Sequence, residues 1–210
     1  NLWLHDTPFR YRLATDKWME LKLSYKQRSN PRSQRIAGFG PGWHCNWIGF
    51  LEGYSPQITV VTNSLAGGGR RPFGVYYPQW YMPPLFDYKS ARLAVAEVDW
   101  TVTINSPSGS KNIYGNPFFD LEAGDYKLLL TNRTDRYGRT TSYHWETVTT
   151  NGTDYARLIE VVDRDGRTNT LSYDNTAYPA LITSITDPYG RSAFFQYDSL
   201  GFLTSITDMA

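Results

Sequence analysis

The chain has 210 residues, of which 40% are hydrophobic and 16% aromatic, so it is long enough to bury a sizeable core. Its 21 Lys and Arg nearly balance its 20 Asp and Glu, which leaves no basic field for nucleic-acid phosphates and argues against nucleic-acid binding. The longest apolar runs reach only about six residues, far below the roughly 20 that span a bilayer, so we expect no membrane insertion.

Cysteine and histidine give no sign of a disulfide or a metal site. Cys45 is the single cysteine, so an intrachain disulfide is impossible. His5, His44 and His144 lack the spacing of a structural zinc site, and His44-Cys45 are neighbours whose side chains would leave a strand on opposite faces. We therefore predict no metal and no cofactor. The Tyr-, Asn- and Thr-rich, cysteine-poor composition suits a bacterial secreted or cell-surface protein.

Period-two alternation predicts the first strand. Met19, Leu21 and Leu23 alternate with the more polar side chains around them, which is typical of a half-buried strand. Sustained helical periodicity is nearly absent from the chain, so little or no helix is expected.

Residues 63–84 carry a glycine triplet and several prolines, which predict long irregular connections that interrupt the sheet. Aromatic residues cluster there and just beyond. Two interpretations are open: the rings plug an edge of the sheet, or they form a stacking platform for a sugar or a proline-rich peptide. The candidate stacking residues are Tyr76, Tyr77, Trp80 and Tyr81.

A hairpin is predicted after this segment. Residues 98–105 alternate apolar and polar side chains, and Ser106-Pro107-Ser108-Gly109-Ser110 is a cluster of turn formers. Ile113-Tyr114 then starts a partner strand.

An internal repeat begins near residue 128. Three segments share the pattern D-x-x-G-R, each after an apolar-polar run and each before a strand that ends near a tyrosine. The turn residues are Asp135, Gly138, Arg139, Asp163, Gly166, Arg167, Asp187, Gly190 and Arg191, and the tyrosines are Tyr143, Tyr173 and Tyr197. A fourth unit starts at residues 203–208, so the unit is a hairpin plus a connector.

The repeat residues have structural explanations that need no substrate. An aspartate at the first turn position can accept hydrogen bonds from the N–H groups two and three residues on, and glycine at the fourth position supplies a positive φ. The arginine can pair with the aspartate. A tyrosine at the end of the return strand can bury its ring while its hydroxyl stays near water.

These units resemble the YD repeats of the Rhs and teneurin families over roughly residues 128–210. Tyr173-Asp174 and Tyr197-Asp198 carry the naming dipeptide, whereas Tyr143-His144 departs from it. Upstream, the L-x-L-x-Y run of residues 21–25 and the F-G-x-G-W run of residues 39–43 resemble the segment that precedes the repeats in Rhs proteins.

The resemblance implies an all-β fold of consecutive antiparallel β-hairpins forming a curved, spiralling sheet, part of a β-shell. Residues 1–127 would be a pre-repeat β-rich plug region, and residues 128–210 a hairpin array. The function would be structural: such shells enclose a C-terminal toxin or present an adhesion surface. Partners would be the rest of the same polypeptide or other copies of the shell, with an enclosed toxin cargo or a surface glycan as further candidates. An aromatic-rich module that binds carbohydrate or protein is the alternative.

No constellation of residues indicates catalysis, so we expect no enzyme. Asp187-Pro188-Tyr189-Gly190 is superficially similar to the D-P-x-G motif near the self-cleavage site of Rhs shells, but the glycines that follow that motif are absent, and a repeat turn explains it. The triplet Gly67–Gly69 lacks the Lys-Ser/Thr of a phosphate-binding loop.

Overall fold

The computed structural model describes residues 2–27, 33–54, 60–66, 68–74, 85–86, 92–96 and 100–209. These residues form strands and turns, and none of them is helical. The predicted all-β fold of consecutive antiparallel hairpins is therefore confirmed. The chain divides into two compact units, one built from residues 1–48, 66–68 and 143–210 and the other from residues 49–65 and 69–142.

The strands are numbered in chain order. The first unit contains β1 (Trp3–Arg12), β2 (Trp18–Lys26), β3 (Trp43–Cys45), β13 (Thr153–Val162), β14 (Thr168–Ser172), β15 (Ser184–Thr186), β16 (Ser192–Tyr197) and β17 (Leu203–Thr207). The second contains β4 (Phe50–Tyr54), β5 (Val60–Ser64), β6 (Arg70–Gly74), β7 (Leu85–Phe86), β8 (Arg92–Ala96), β9 (Thr101–Asn105), β10 (Lys111–Asp120) and β11 (Asp125–Thr134). Strand β12 (Thr140–Thr150) begins in the second unit and ends in the first.

Two sheets make up the first unit. Strands β1, β2 and β3 form an antiparallel sheet in that order, and β13 to β17 pair antiparallel in chain order. The alternation predicted for β2 is confirmed, because Met19, Leu21 and Leu23 are buried while Trp18 and Lys22 are exposed. Each hairpin strand thus has one apolar face available for the core.

The core of the first unit combines pre-repeat and repeat residues. Phe9 and Trp47 meet edge to face with ring centroids 5.4 Å apart, and both are almost fully buried. On the repeat side, Leu158 and Ile182 have no exposed surface. Residues 1–48 and the hairpins after residue 143 therefore fold together, although 94 residues separate them in sequence.

In the second unit, β7 to β11 pair in chain order, and β11 also pairs with β4 and with the start of β12. The hairpin predicted at residues 106–110 is confirmed: the Ser106 N–H donates to the Ser110 carbonyl, and Gly109 has φ 83°. The expectation of irregular chain from residue 63 is wrong up to residue 74, because β5 and β6 pair antiparallel there. Gly68 and Gly69, both with positive φ, lie in the connection of that hairpin, where the Leu65 N–H donates to the Gly69 carbonyl at 2.9 Å.

The sequence division at residues 127 and 128 follows the start of the repeat pattern, whereas the compact units follow packing. The first repeat turn lies in the second unit and the later ones lie in the first. The division into a pre-repeat region and a hairpin array therefore stays a prediction about where the repeat pattern begins.

Candidate functional interface

The three D-x-x-G-R turns share one backbone geometry. In each turn the aspartate N–H donates to the arginine carbonyl at 2.9 Å, and the glycine N–H donates to the aspartate carbonyl at 3.0 Å. The three glycines have φ of 81°, 81° and 82°. This pattern is a type I turn followed by a glycine bulge, which is typical of hairpins with three-residue loops. The spacing of Asp and Gly thus sets the hairpin directly.

The aspartate carboxylate completes the turn. In the first turn, Asp135 Oδ1 accepts the N–H groups of Tyr137 at 2.9 Å and of Arg139 at 3.1 Å. The aspartate carboxylate therefore accepts hydrogen bonds from the residues two and four positions on, rather than two and three as expected. The N–H three positions on belongs to glycine, and it is already donated to the aspartate carbonyl.

The arginine of each turn is directed to the second carboxylate oxygen. The arginine Nε lies 2.9 Å from the aspartate Oδ2 in all three turns. The hydrogen bond from Arg139 and the two backbone N–H groups lower the pKa of Asp135 to about 2. The carboxylate is therefore ionised over the physiological range and is held by the turn that it organises.

A further turn of this type escaped the sequence analysis. Asp198 Oδ1 accepts the N–H groups of Leu200 and Phe202, each at 2.9 Å, and the Gly201 N–H donates to the Asp198 carbonyl. The fifth residue of this turn is Phe202, where the three repeat turns have arginine. The D-x-x-G spacing was the available signal, and it forms the turn without the arginine.

The repeat tyrosines hold their own hairpins together. The Tyr173 hydroxyl donates to the Leu158 carbonyl at 2.8 Å, and the Tyr197 hydroxyl donates to the Ile182 carbonyl at 2.6 Å. Burial raises the pKa of both hydroxyls well above the ordinary tyrosine value. The sequence analysis did not foresee these acceptors, because each hydroxyl binds a backbone carbonyl of its own hairpin. Tyr143 is also buried.

Strand β1 docks on the second repeat turn. The Tyr11 hydroxyl donates to Asp163 Oδ2 at 2.8 Å and accepts the Asn169 side-chain amide at 3.1 Å. The Arg167 guanidinium lies 4.8 Å from the centre of the Tyr11 ring. Burial, together with the hydrogen bond to Asp163, raises the pKa of Tyr11 above its ordinary value. The pre-repeat region therefore covers the carboxylate that organises this turn.

The same contact continues along the turn and on to later hairpins. The Ala14 N–H donates to Asp165 Oδ2 at 2.7 Å. The Tyr11 and Tyr189 rings meet edge to face at 5.8 Å, and the Met209 N–H donates to the Pro8 carbonyl at 3.1 Å. Strand β1 and its turn thus reach three successive repeat units.

A second segment of the pre-repeat region, residues 35–40, also crosses the hairpins, and we call it the strap. Ile36 forms a parallel bridge with Ala156 in β13. The Ala156 N–H donates to the Arg35 carbonyl and its carbonyl accepts the Ala37 N–H, both at 2.8 Å. Both of these hydrogen bonds join backbone groups.

The strap then reaches the next hairpin. Gly38 forms a parallel bridge with Leu181, its N–H donates to the Ala180 carbonyl, and its carbonyl accepts the Ile182 N–H, both at 3.0 Å. Phe39 packs edge to face on Phe195 with ring centroids 4.8 Å apart. The strap is therefore held to this hairpin by two backbone hydrogen bonds and one ring contact.

The strap ends against the turn that Asp198 and Gly201 form. Gly40 has φ 85°, and a Cβ built on it would lie 2.4 Å from the Gly201 carbonyl oxygen. Only glycine fits this approach, since such a distance is well inside van der Waals contact. This gives the F-G-x-G-W run a physical role: Phe39 fills the core while Gly40 allows two backbones to meet.

The remaining predicted candidates lie apart from this interface. His5 Nδ1 is 3.0 Å from Ser24 Oγ, and His144 Nδ1 is 3.0 Å from Glu160 Oε2. His44 and Cys45 are buried in β3. Among the described residues no group of three His, Cys, Asp or Glu side chains could hold a metal ion. The candidate stacking residues Tyr76, Tyr77, Trp80 and Tyr81 lie outside the described residues and stay a prediction.

A buried polar cluster in the second unit was not foreseen. Lys127 is almost fully buried, with Nζ 2.7 Å from Asp125 Oδ1 and 3.8 Å from Glu52 Oε2. Glu52 also accepts hydrogen bonds from Ser64 Oγ and Arg70. The alternation around Lys127 gave no signal for this cluster: Asp125 is two residues away in the same strand, but Glu52 comes from β4, far away in sequence. Ion pairs thus join β4, β6 and β11, and the Ser64 hydrogen bond adds β5.

Nothing in the described part of the chain is a helix long and apolar enough to cross a membrane. No family model matches the chain, and no curated protein matches it in sequence. Among solved structures, it is similar to the N-terminal domain of the effector protein SpvB from Salmonella typhimurium strain LT2, with a TM-score of 0.51 and 12% identity. The match covers 92% of each chain. At this level of identity the likeness shows a shared fold.

Proposed function

We propose that this chain is a structural segment of an Rhs-type YD-repeat shell, in which the pre-repeat region seats the first hairpins of the array. One observation carries the proposal: the polar groups that define the repeat are used inside the hairpins. Asp163 binds its own turn, Arg167 binds Asp163, and Tyr173 binds the Leu158 carbonyl. Groups engaged in this way stabilise a scaffold, because their hydrogen bonds are made within the fold rather than to a substrate.

Repetition of one hairpin supports an architectural role. A single hairpin is at best marginally stable in water, and repeats gain stability when each strand pairs with the next. Here β13 to β17 pair in chain order and form one compact unit with residues 1–48. We infer that the pre-repeat region supplies the packing that the first hairpins cannot supply for themselves.

The shell would enclose a C-terminal toxin cargo or present an adhesion surface, and its contribution would be non-catalytic. We further propose a bacterial protein that acts in secreted form or at the cell surface. The SpvB domain of similar fold belongs to a protein described as an effector, which is compatible with this setting.

The proposal is tested on the natural full-length product of the gene. We expect further D-x-x-G-R and Y-D units, an enclosed volume by cryo-electron microscopy, and a segment inside it that resists added protease until the shell is denatured. A full-length protein with no enclosed volume, whose segments are all cleaved at similar rates, would contradict the shell function. Addition of a glycan panel to the same preparation tests the surface-display alternative.

A further inference from the structure

The strap meets three hairpins at the same repeat position. Ala156, Ala180 and Gly201 each lie seven residues before an aspartate of the repeat, namely Asp163, Asp187 and Asp208. In the first two hairpins the carbonyl at this position accepts a strap N–H, from Ala37 and from Gly38. In the third, the carbonyl oxygen faces Gly40 at the close approach described above. We call this repeat position minus seven.

Position minus seven is also the place where small residues recur. From minus eight to minus one, it alone carries alanine or glycine in all three units, while minus five carries Leu158, Ile182 and Leu203. Ala156 has no exposed surface and Ala180 is 2% exposed. Interiors are packed at the density of organic crystals, so additional methyl groups at these sites must displace a neighbour.

The strap is the neighbour that gives way most easily. Strands β14, β15 and β16 are held to each other by ladders of paired residues. The strap is held to the hairpin of Asp163 by the two hydrogen bonds of Ala156 and to the hairpin of Asp187 by the two of Gly38. Each such bond contributes only about 0.5–1.5 kcal/mol net. We therefore expect a larger residue in place of Ala156 or Ala180 to displace the strap before it breaks the hairpin, whereas a Cβ built on Gly201, the turn glycine, would meet the Tyr178 ring at 3.2 Å.

The first repeat unit offers a contrast. Its minus-seven residue is Leu128, which is fully buried and pairs with Leu51 of β4 and Pro117 of β10. Strands of the second unit, rather than a strap, are its partners there. Alanine or glycine at minus seven is thus found in the units that the strap contacts, beginning with the unit of Asp163.

We propose that the strap is a recognition surface for D-x-x-G hairpins and that it reads the residue at minus seven, accepting alanine or glycine and rejecting larger side chains. The partner that fits this surface is a hairpin strand with a small residue seven positions before its aspartate. Recognition of this kind fixes which hairpins lie beneath the pre-repeat region and in which register. This inference rests on the proposed scaffold function, which gives such recognition its biological purpose.

The test is amide hydrogen exchange in the intact chain carrying Ala180→Leu, with Ala180→Ser and Ala180→Val as smaller steps should the leucine variant fail to fold. We expect the Gly38 and Ile182 amides to lose protection progressively with side-chain size, by about tenfold or more for the largest residue that folds. The Gly190 amide, which reports the turn of the same hairpin, should keep its protection. Ala177→Leu is the matched control, because Ala177 is exposed in the same connector.

Two outcomes would overturn the proposal. Unchanged protection of Gly38 and Ile182 in the largest folded variant would mean that side-chain size at minus seven is not read. Equal loss at Gly38 and Gly190 across the series would make Ala180 an ordinary core residue. Neither outcome depends on whether the natural protein encloses a volume, so failure of the scaffold function would be seen separately.

Discussion

The Tyr11 hydroxyl donates a 2.8 Å hydrogen bond to Asp163, which lies 152 residues later in the chain. Asp163 is the first residue of a repeat turn, and its side chain is fully buried. The carboxylate thereby holds its own turn, its arginine and a strand of the pre-repeat region at once. A residue that the repeat pattern marks as a turn former is also the anchor of a long-range contact.

Tyr11→Phe tests the strength of this anchor. The variant leaves Asp163 with one partner fewer in a buried site, so we expect a loss of about 1–3 kcal/mol in the free energy of unfolding, measured by urea denaturation. Tyr189→Phe is the control, because the Tyr189 hydroxyl accepts a hydrogen bond from Arg167 of the Asp163 turn but the residue is 60% exposed. Equal losses in both variants would contradict an anchoring role for Tyr11.

Local features of the fold could be read from the sequence, and long-range ones could not. The turn at Asp163 follows from the spacing of Asp and Gly, since both act within five residues. The bridge between Ile36 and Ala156 joins residues 120 positions apart, and no periodicity in either segment announces it. The buried hydroxyl of Tyr173 was missed for a related reason: its acceptor is a backbone carbonyl, and a sequence pattern gives no sign of which carbonyl is available.

The turn glycines should tolerate some residues better than others. Gly166 and Gly190 have positive φ, but a Cβ built on either meets nothing within 4 Å. The cost of substitution is then backbone strain alone. We expect Gly166→Val and Gly190→Val to lower the free energy of unfolding by about 1–3 kcal/mol. Gly190→Asn should cost clearly less, because asparagine enters the left-handed region more readily. Equal costs for valine and asparagine would indicate a steric clash instead.

The low pKa of Asp135 makes one turn sensitive to acid. Because the pKa in the folded state is about 2, below the ordinary value, the ionised turn stabilises the fold above about pH 4. This contribution is lost as the pH falls from about 4 towards 2. We expect Asp135→Asn to be less stable than the parent at pH 7, and the difference to shrink at pH 2.5. Arg139→Gln should give the same profile, since it removes the largest cause of the shift. A difference that is constant with pH would contradict this assignment.

Alkaline pH should act through the repeat tyrosines. The raised pKa of Tyr173 and Tyr197 means that the unfolded state ionises first, so their contribution is present below about pH 10 and is lost as the pH rises above it. In a titration followed at the tyrosinate absorbance, these two hydroxyls should ionise only with unfolding. Tyr197→Phe should reduce stability at pH 7 and flatten the alkaline loss. Tyr137→Phe, at an exposed ring, should change neither.

Two glycines of the strap give a matched pair for the pre-repeat contact. A Cβ on Gly38 would meet only the Ile36 carbonyl oxygen at 3.7 Å, an ordinary contact, and its φ is not in the left-handed region. A Cβ on Gly40 would lie 2.4 Å from the Gly201 carbonyl oxygen, at φ 85°. We therefore expect Gly38→Ala to change the free energy of unfolding by less than about 1 kcal/mol, and Gly40→Ala to lower it by about 1–3 kcal/mol or more.

Urea denaturation of both variants beside the parent measures this difference, and exchange of the Gly38 amide locates it. If the close approach of Gly40 to Gly201 holds the end of the strap, Gly40→Ala should also loosen the neighbouring Gly38 hydrogen bond, whereas Gly38→Ala should leave it protected. Similar stabilities for the two variants would mean that Gly40 and Gly201 are further apart in solution. In that case the strap would be anchored by its contacts with Ala156, Ala180 and Phe195, and the third hairpin would lie outside its reach.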